Sequence, residues 1–144
     1  MKLTIMGSSA FKEQILDYQK RLIEFGHEGI VHPDYEAYIS GAKQDVWNMI
    51  QNGEHARVKR ENNYILWWYN AIQGSDGILV LNFDKKGIKN YIGGNTLMEI
   101  AFAYVGGKKI FLTNPIPDSV SYVDELKAMV DESDVIHGDL GKIK

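Results

Sequence analysis

Asp76-Gly77-Ile78-Leu79-Val80-Leu81-Asn82 is apolar at every position from Ile78 to Leu81, with no alternation of polar and apolar side chains. A strand with that pattern has both faces buried, as in the middle of a parallel sheet covered by helices. Upstream, Leu3 to Met6 is a short β-prone run ending in Gly7-Ser8-Ser9. Phe11, Ile15, Tyr18, Leu22 and Phe25 then recur at helical spacing, and Gly26 stops the helix. Gly29 to His32 reads as a second strand, with Pro33 keeping His32 extended.

Residues 34–53 are polar, carry Gly41 and Gly53, and offer one short helix around Gln44 to Ile50; a lid suits this stretch. From Glu54 a single long helix is expected to run to Gln73, with Trp67, Trp68 and Tyr69 divided between the core and a subunit contact. Downstream of the quoted strand, Phe83 to Gly94 is loop, and a helix then runs to Gly106-Gly107. Lys109 to Leu112 is strand four, Ser121 to Val130 a helix, and Asp134 to His137 a fifth strand. This alternation predicts one α/β domain over 1–144, a doubly wound open sheet of about five parallel strands with helices on both faces.

The chain has 144 residues, 44% of them hydrophobic, enough for a core of its own, and no cysteine for disulfides, thiolate metal sites or thiol catalysis. A net charge of -3 argues against nucleic acid polymers as partners. No segment approaches the roughly 20 apolar residues of a membrane span, so no membrane partner is expected and the cytoplasm is the expected compartment. The four histidines have no tight ligand spacing; no metal and no cofactor is expected.

Open parallel sheets bind ligands beyond the carboxyl ends of their strands. Gly7, Ser8 and Ser9 lie at one such end, as an anion site or as a tight turn with Ser9 capping the helix. Asn82 and Asp84 leave another, available to a leaving group or simply to turn formation. After the turn Tyr91-Ile92-Gly93-Gly94-Asn95-Thr96 comes Glu99, the one carboxylate in an apolar helical run. Its polar neighbours, Asn95 and Thr96, face the glycine turn, which aims Glu99 at the crevice. A place in the first helical turn would keep it ionised, as a nucleophile requires.

The quoted strand, the glycine turn, Asn95-Thr96-Leu97-Met98-Glu99-Ile100-Ala101-Phe102-Ala103-Tyr104 and Lys108-Lys109-Ile110 together resemble the nucleoside 2-deoxyribosyltransferase-like family. The resemblance implies a flavodoxin-like sheet, a homodimer or higher homo-oligomer, and cleavage of the N-glycosidic bond of a nucleoside or nucleoside 5'-monophosphate. Glu99 would be the nucleophile, Asn82 or Asp84 would serve the departing base, and water or a second base would accept the glycosyl group. Gly7, Ser8 and Ser9 would hold the sugar or phosphate end, with Gly93, Gly94, Asn95 and Thr96 shaping the turn that positions Glu99. Gly93 stands where the family's transferases carry an acid, and Ala101 where a glycine is usual. The former departure favours a hydrolase of monophosphates, or a nucleotide-binding or sensory domain that keeps the pocket without the chemistry. Gly93 to Glu99 also resembles, one residue shorter, the GGxGTxxE motif of cytokinin-activating phosphoribohydrolases.

Overall fold

The structure, a computed structural model, describes Met1 to Lys144. Four parallel strands, β1 (Lys2–Gly7), β2 (Glu28–Ile30), β3 (Gly77–Leu81) and β4 (Lys109–Leu112), form one sheet in the order β2-β1-β3-β4. Helices flank it, and this order is consistent with a flavodoxin-like arrangement. β3 lies between β1 and β4, and Ile78, Leu79, Val80 and Leu81 are fully buried, as its unbroken apolar run requires.

The sheet has four strands where about five were expected. The tail pairs with β4 through a single backbone bridge, Leu112–Val135, supported by the amides of Ile136 and Gly138 donating to Leu112 and Thr113. A 3₁₀ turn over Glu132–Asp134 precedes that bridge, and His137 and Gly138, at positive φ, end it. The chain stays extended too briefly there to build a ladder.

Helix α1 (Lys12–Glu24) buries Ile15, Tyr18 and Leu22 and ends before Gly26, which takes the left-handed conformation that closes such helices. Residues 34–53 hold two helices, α2 (Asp34–Ser40) and α3 (Gln44–Gln51), joined through left-handed Gly41. The expected long helix is broken in two, α4 (His55–Glu61) and α5 (Tyr64–Gln73), because Asn63 adopts φ 57°. Asparagine is among the few residues that tolerate this region. On α5, Trp68 and Ile72 enter the core while Leu66 and Tyr69 stay exposed. Helix α6 (Gly94–Val105) carries Glu99, and α7 (Val123–Met129) follows β4. No helix is long and apolar enough to cross a membrane.

From β1 the chain crosses to β2 on one side, whereas β3 and β4 lie on the other, so strand order reverses between β1 and β3. The carboxyl ends of these two strands, paired at Gly7 and Leu81, mark where a ligand crevice belongs. Gly7 permits the close pairing there: a Cβ on it would stand 2.7 Å from the Leu81 carbonyl oxygen.

Candidate functional site

A cavity of about 460 Å³ opens at this reversal point. Gly7, Ser8, Ser9, Gly93, Gly94, Asn95, Thr96 and Glu99 all line it. Asn82 and Asp84 do not. Asn82 is fully buried, its amide donating to the carbonyls of Asn114 (2.9 Å) and Pro115 (3.0 Å) while its Oδ1 accepts from Thr113 Oγ1 and the Asn114 amide. It ties the β3 and β4 loops together, and all its bonding capacity is spent there. Asp84 is exposed and accepts the Asn90 amide at 2.9 Å, closing its own loop. Asn82 thus joins two loops and Asp84 shapes its own turn.

Glu99 is the sole carboxylate on the cavity wall. Gly94 opens α6, so Glu99 is its sixth residue, in the second turn, beyond the unpaired amides that stabilise a negative charge. Burial therefore dominates: it pushes the carboxyl up to about 8, with the Lys59 ammonium pulling the other way. The expectation of a first-turn glutamate is corrected, and with it the helix-end reason for a low pKa.

One end of the cavity is cationic. Lys85 Nζ donates to Ser8 Oγ at 2.6 Å, and the Ala10 amide donates to the same oxygen at 3.2 Å. Ser8, not Ser9, thus caps the turn, and with two donors on its oxygen its own proton is free to point at a ligand. Lys86 and Gly87, both at positive φ, make a tight turn in which Lys85 and Ile88 exchange backbone hydrogen bonds. This brings both lysines to the cavity beside Lys59 and His55. Burial, then the charges of Lys59, Lys85 and Lys86, lowers the His55 pKa, and burial followed by Lys86 lowers that of Lys85. An anion would relieve this crowding.

The other end is aromatic. Tyr35 and Tyr38 of α2, His32 before it, and Tyr64 and Trp68 of α5 line it. The His32 ring centroid lies 4.9 Å from that of Tyr64 and 5.8 Å from that of Trp68. Tyr64 Oη donates to Asp34 at 2.5 Å, and Lys43 Nζ reaches the same carboxylate at 2.8 Å. The charge of Glu99 acts on a group of each end, Tyr35 at the aromatic one and Lys59 at the cationic one.

Sequence reasoning did not single out the lysines or the tyrosines. Lys85-Lys86-Gly87 carries one local signal, two adjacent cations at a glycine turn near a strand end. The tyrosines of α2 carry none, because their place depends on how residues 34–40 pack on α1 and α5. A Cβ on Gly93 would lie 2.8 Å from Tyr91 Oη, so the tyrosine holds that space.

No protein-family model, no curated protein and no solved structure matches the chain.

Proposed function

We propose that this protein cleaves the N-glycosidic bond of a nucleoside 5'-monophosphate or nucleoside, passing the glycosyl group through Glu99 to water or to another base. The observation that carries this reading is the place of Glu99, the one carboxylate in a cavity with a cationic and an aromatic end. A nucleotide has the same polarity, an anion at one end, a planar ring at the other, and the anomeric carbon between them.

In the reaction the Glu99 carboxylate attacks that carbon as the bond to the base breaks, forming a glycosyl ester that an incoming water or base then opens. Lys59 favours the ionised form of Glu99. A departing base also needs a proton. With Asn82 and Asp84 outside the cavity, Lys59 is the donor this reading uses, because among the lysines of the wall it is the one whose charge acts on Glu99, which brings it from the cationic end toward the reacting carbon, and burial has made its ammonium more acidic. Leu66 and Tyr69 of α5 and Val105 of α6 leave an exposed apolar face, which supports the homo-oligomer implied by the family resemblance.

The test is release of free base from a panel of ribo- and deoxyribonucleosides and their 5'-monophosphates, with and without an acceptor base. Glu99→Ala and Glu99→Gln are expected to abolish release while the protein stays folded; turnover retained in either variant overturns the mechanism. The raised pKa of Glu99 favours a second reading, a nucleotide-binding domain in which the protonated carboxyl donates a hydrogen bond. Saturable nucleotide binding with no base release over hours would select it.

A further inference from the structure

Asp34, Tyr64 and Tyr38 form a hydrogen-bond chain at the aromatic end, and its protons have a single arrangement. Burial pushes the Asp34 carboxyl up, but the bonds from Lys43 and Tyr64 and the nearby His32 and Lys43 charges together bring it below its ordinary value. An ionised carboxylate only accepts. Tyr64 therefore gives its one proton to Asp34, and the 2.5 Å contact between the Tyr38 and Tyr64 hydroxyls requires Tyr38 to give its own to Tyr64. What Tyr38 Oη has left for the cavity is lone pairs.

His32 is fixed in the opposite sense. Its Nδ1 accepts the Asp34 amide at 3.1 Å, and burial pulls the ring's pKa down to about 4, so the neutral ring carries its proton on Nε2. Tyr38 and His32 thus offer this wall an acceptor and a donor, beside the Tyr35 hydroxyl and the rings of Tyr64 and Trp68.

We infer that this end selects a nucleobase with an exocyclic amino group, a 6-aminopurine or a 4-aminopyrimidine, over its oxo counterpart. The amino N–H donates to Tyr38 Oη, and the neighbouring ring nitrogen accepts from His32 Nε2. An oxo ring presents the reverse pattern along this edge, placing a carbonyl oxygen against the lone pairs of Tyr38. The Tyr64 hydroxyl and the Asp34 carboxylate act as positioning groups: they bond no substrate atom but hold the Tyr38 proton away from it. This inference rests on reading the cavity as a nucleotide site.

The full chain carrying Glu99→Gln, which holds ligands uncleaved, is titrated calorimetrically with adenosine and inosine 5'-monophosphates and with cytidine and uridine 5'-monophosphates. The amino member of at least one pair is expected to bind about tenfold or more tighter, the loss associated with one mismatched hydrogen bond in a dry site. Adding Tyr64→Phe frees the Tyr38 proton, so the ratio should collapse toward one through a gain for the oxo ligand. Adding Tyr38→Phe should instead weaken the amino ligand. Both changes keep the ring. Equal affinities within each pair, or an undiminished ratio in the Tyr64→Phe protein, overturn the inference and leave the nucleotide site standing. Absence of binding by any of the four overturns both. The expected ratio in a protein whose wild type releases no base supports the inference and overturns the cleavage reading.

Discussion

Glu99 exerts its effect on stability through pH. Its carboxyl ionises near 4.5 in an unfolded chain and near 8 in the folded one, because burial disfavours the charge. Between those values the folded state binds more protons than the unfolded state, so this group's contribution to stability falls as pH rises through the window. Below pH 4.5 glutamic acid and glutamine are alike in charge in both states. Glu99→Gln should therefore match the wild type near pH 4 and exceed it by a few kcal/mol near pH 9. For a chain of this size that means a Tm higher by roughly 5 °C or more at the alkaline end. Thermal unfolding at a series of pH values measures this, and a difference independent of pH would contradict the burial. The residue was legible from sequence because nothing else between Leu97 and Val105 carries a charge. Its charge state was not, since that depends on where α6 begins and on side chains brought over it by α2 and α4.

Among the elements, the four strands were legible, and for one reason. A strand buried on both faces shows its burial in the local run of apolar residues, as β3 does, and its neighbours follow from the alternation of strand and helix. The breaks were harder to see. Periodicity from Val58 through Trp68 to Ile72 continues across residues 62 and 63, where the chain in fact turns out of the helix at Asn63. That turn has a consequence for the site, because it makes Tyr64 the first residue of α5 and lets its hydroxyl reach Asp34. A left-handed residue other than glycine or asparagine carries a steric cost of about 1 kcal/mol. Asn63→Ala should lower the Tm by roughly 2–4 °C, whereas Asn63→Gly, free of that cost, should leave it near the wild-type value. If alanine were tolerated as well as glycine, the left-handed turn would be absent in solution. The missing fifth strand has a similar origin: Val135 and Ile136 sit between a 3₁₀ turn and left-handed His137, and nothing in their composition announces either.

At the scale of the whole molecule the cavity draws on β1, the segment after β2, both halves of the broken helix, the loop after β3 and the start of α6. Topology made the strand-end contributors readable, since ligands in such sheets gather where strand order reverses. The walls supplied by α2, α4 and α5 were not readable, because they depend on packing between helices distant in sequence. A chain with net charge -3 nevertheless concentrates Lys59, Lys85 and Lys86 at one cavity end, against the sign of the molecule as a whole. That contrast separates the phosphate from the rest of a bound nucleotide. Lys85 touches the Ser8 hydroxyl, so an anion placed there takes hydrogen bonds from both, each charge-assisted on the anion's side. Removing one such bond costs about 1.5–3 kcal/mol, or roughly 10- to 100-fold in affinity. Lys85→Met should weaken binding of a nucleoside 5'-monophosphate by that factor and leave the parent nucleoside nearly unchanged, measured as dissociation constants in the Glu99→Gln background. Added salt should move the monophosphate in the same direction, since a partly exposed cationic pocket is screened. Equal losses for nucleoside and monophosphate would mean that Lys85 holds the Ser8 loop in place rather than the phosphate, and the anion would have to be placed elsewhere along the lysine-lined wall.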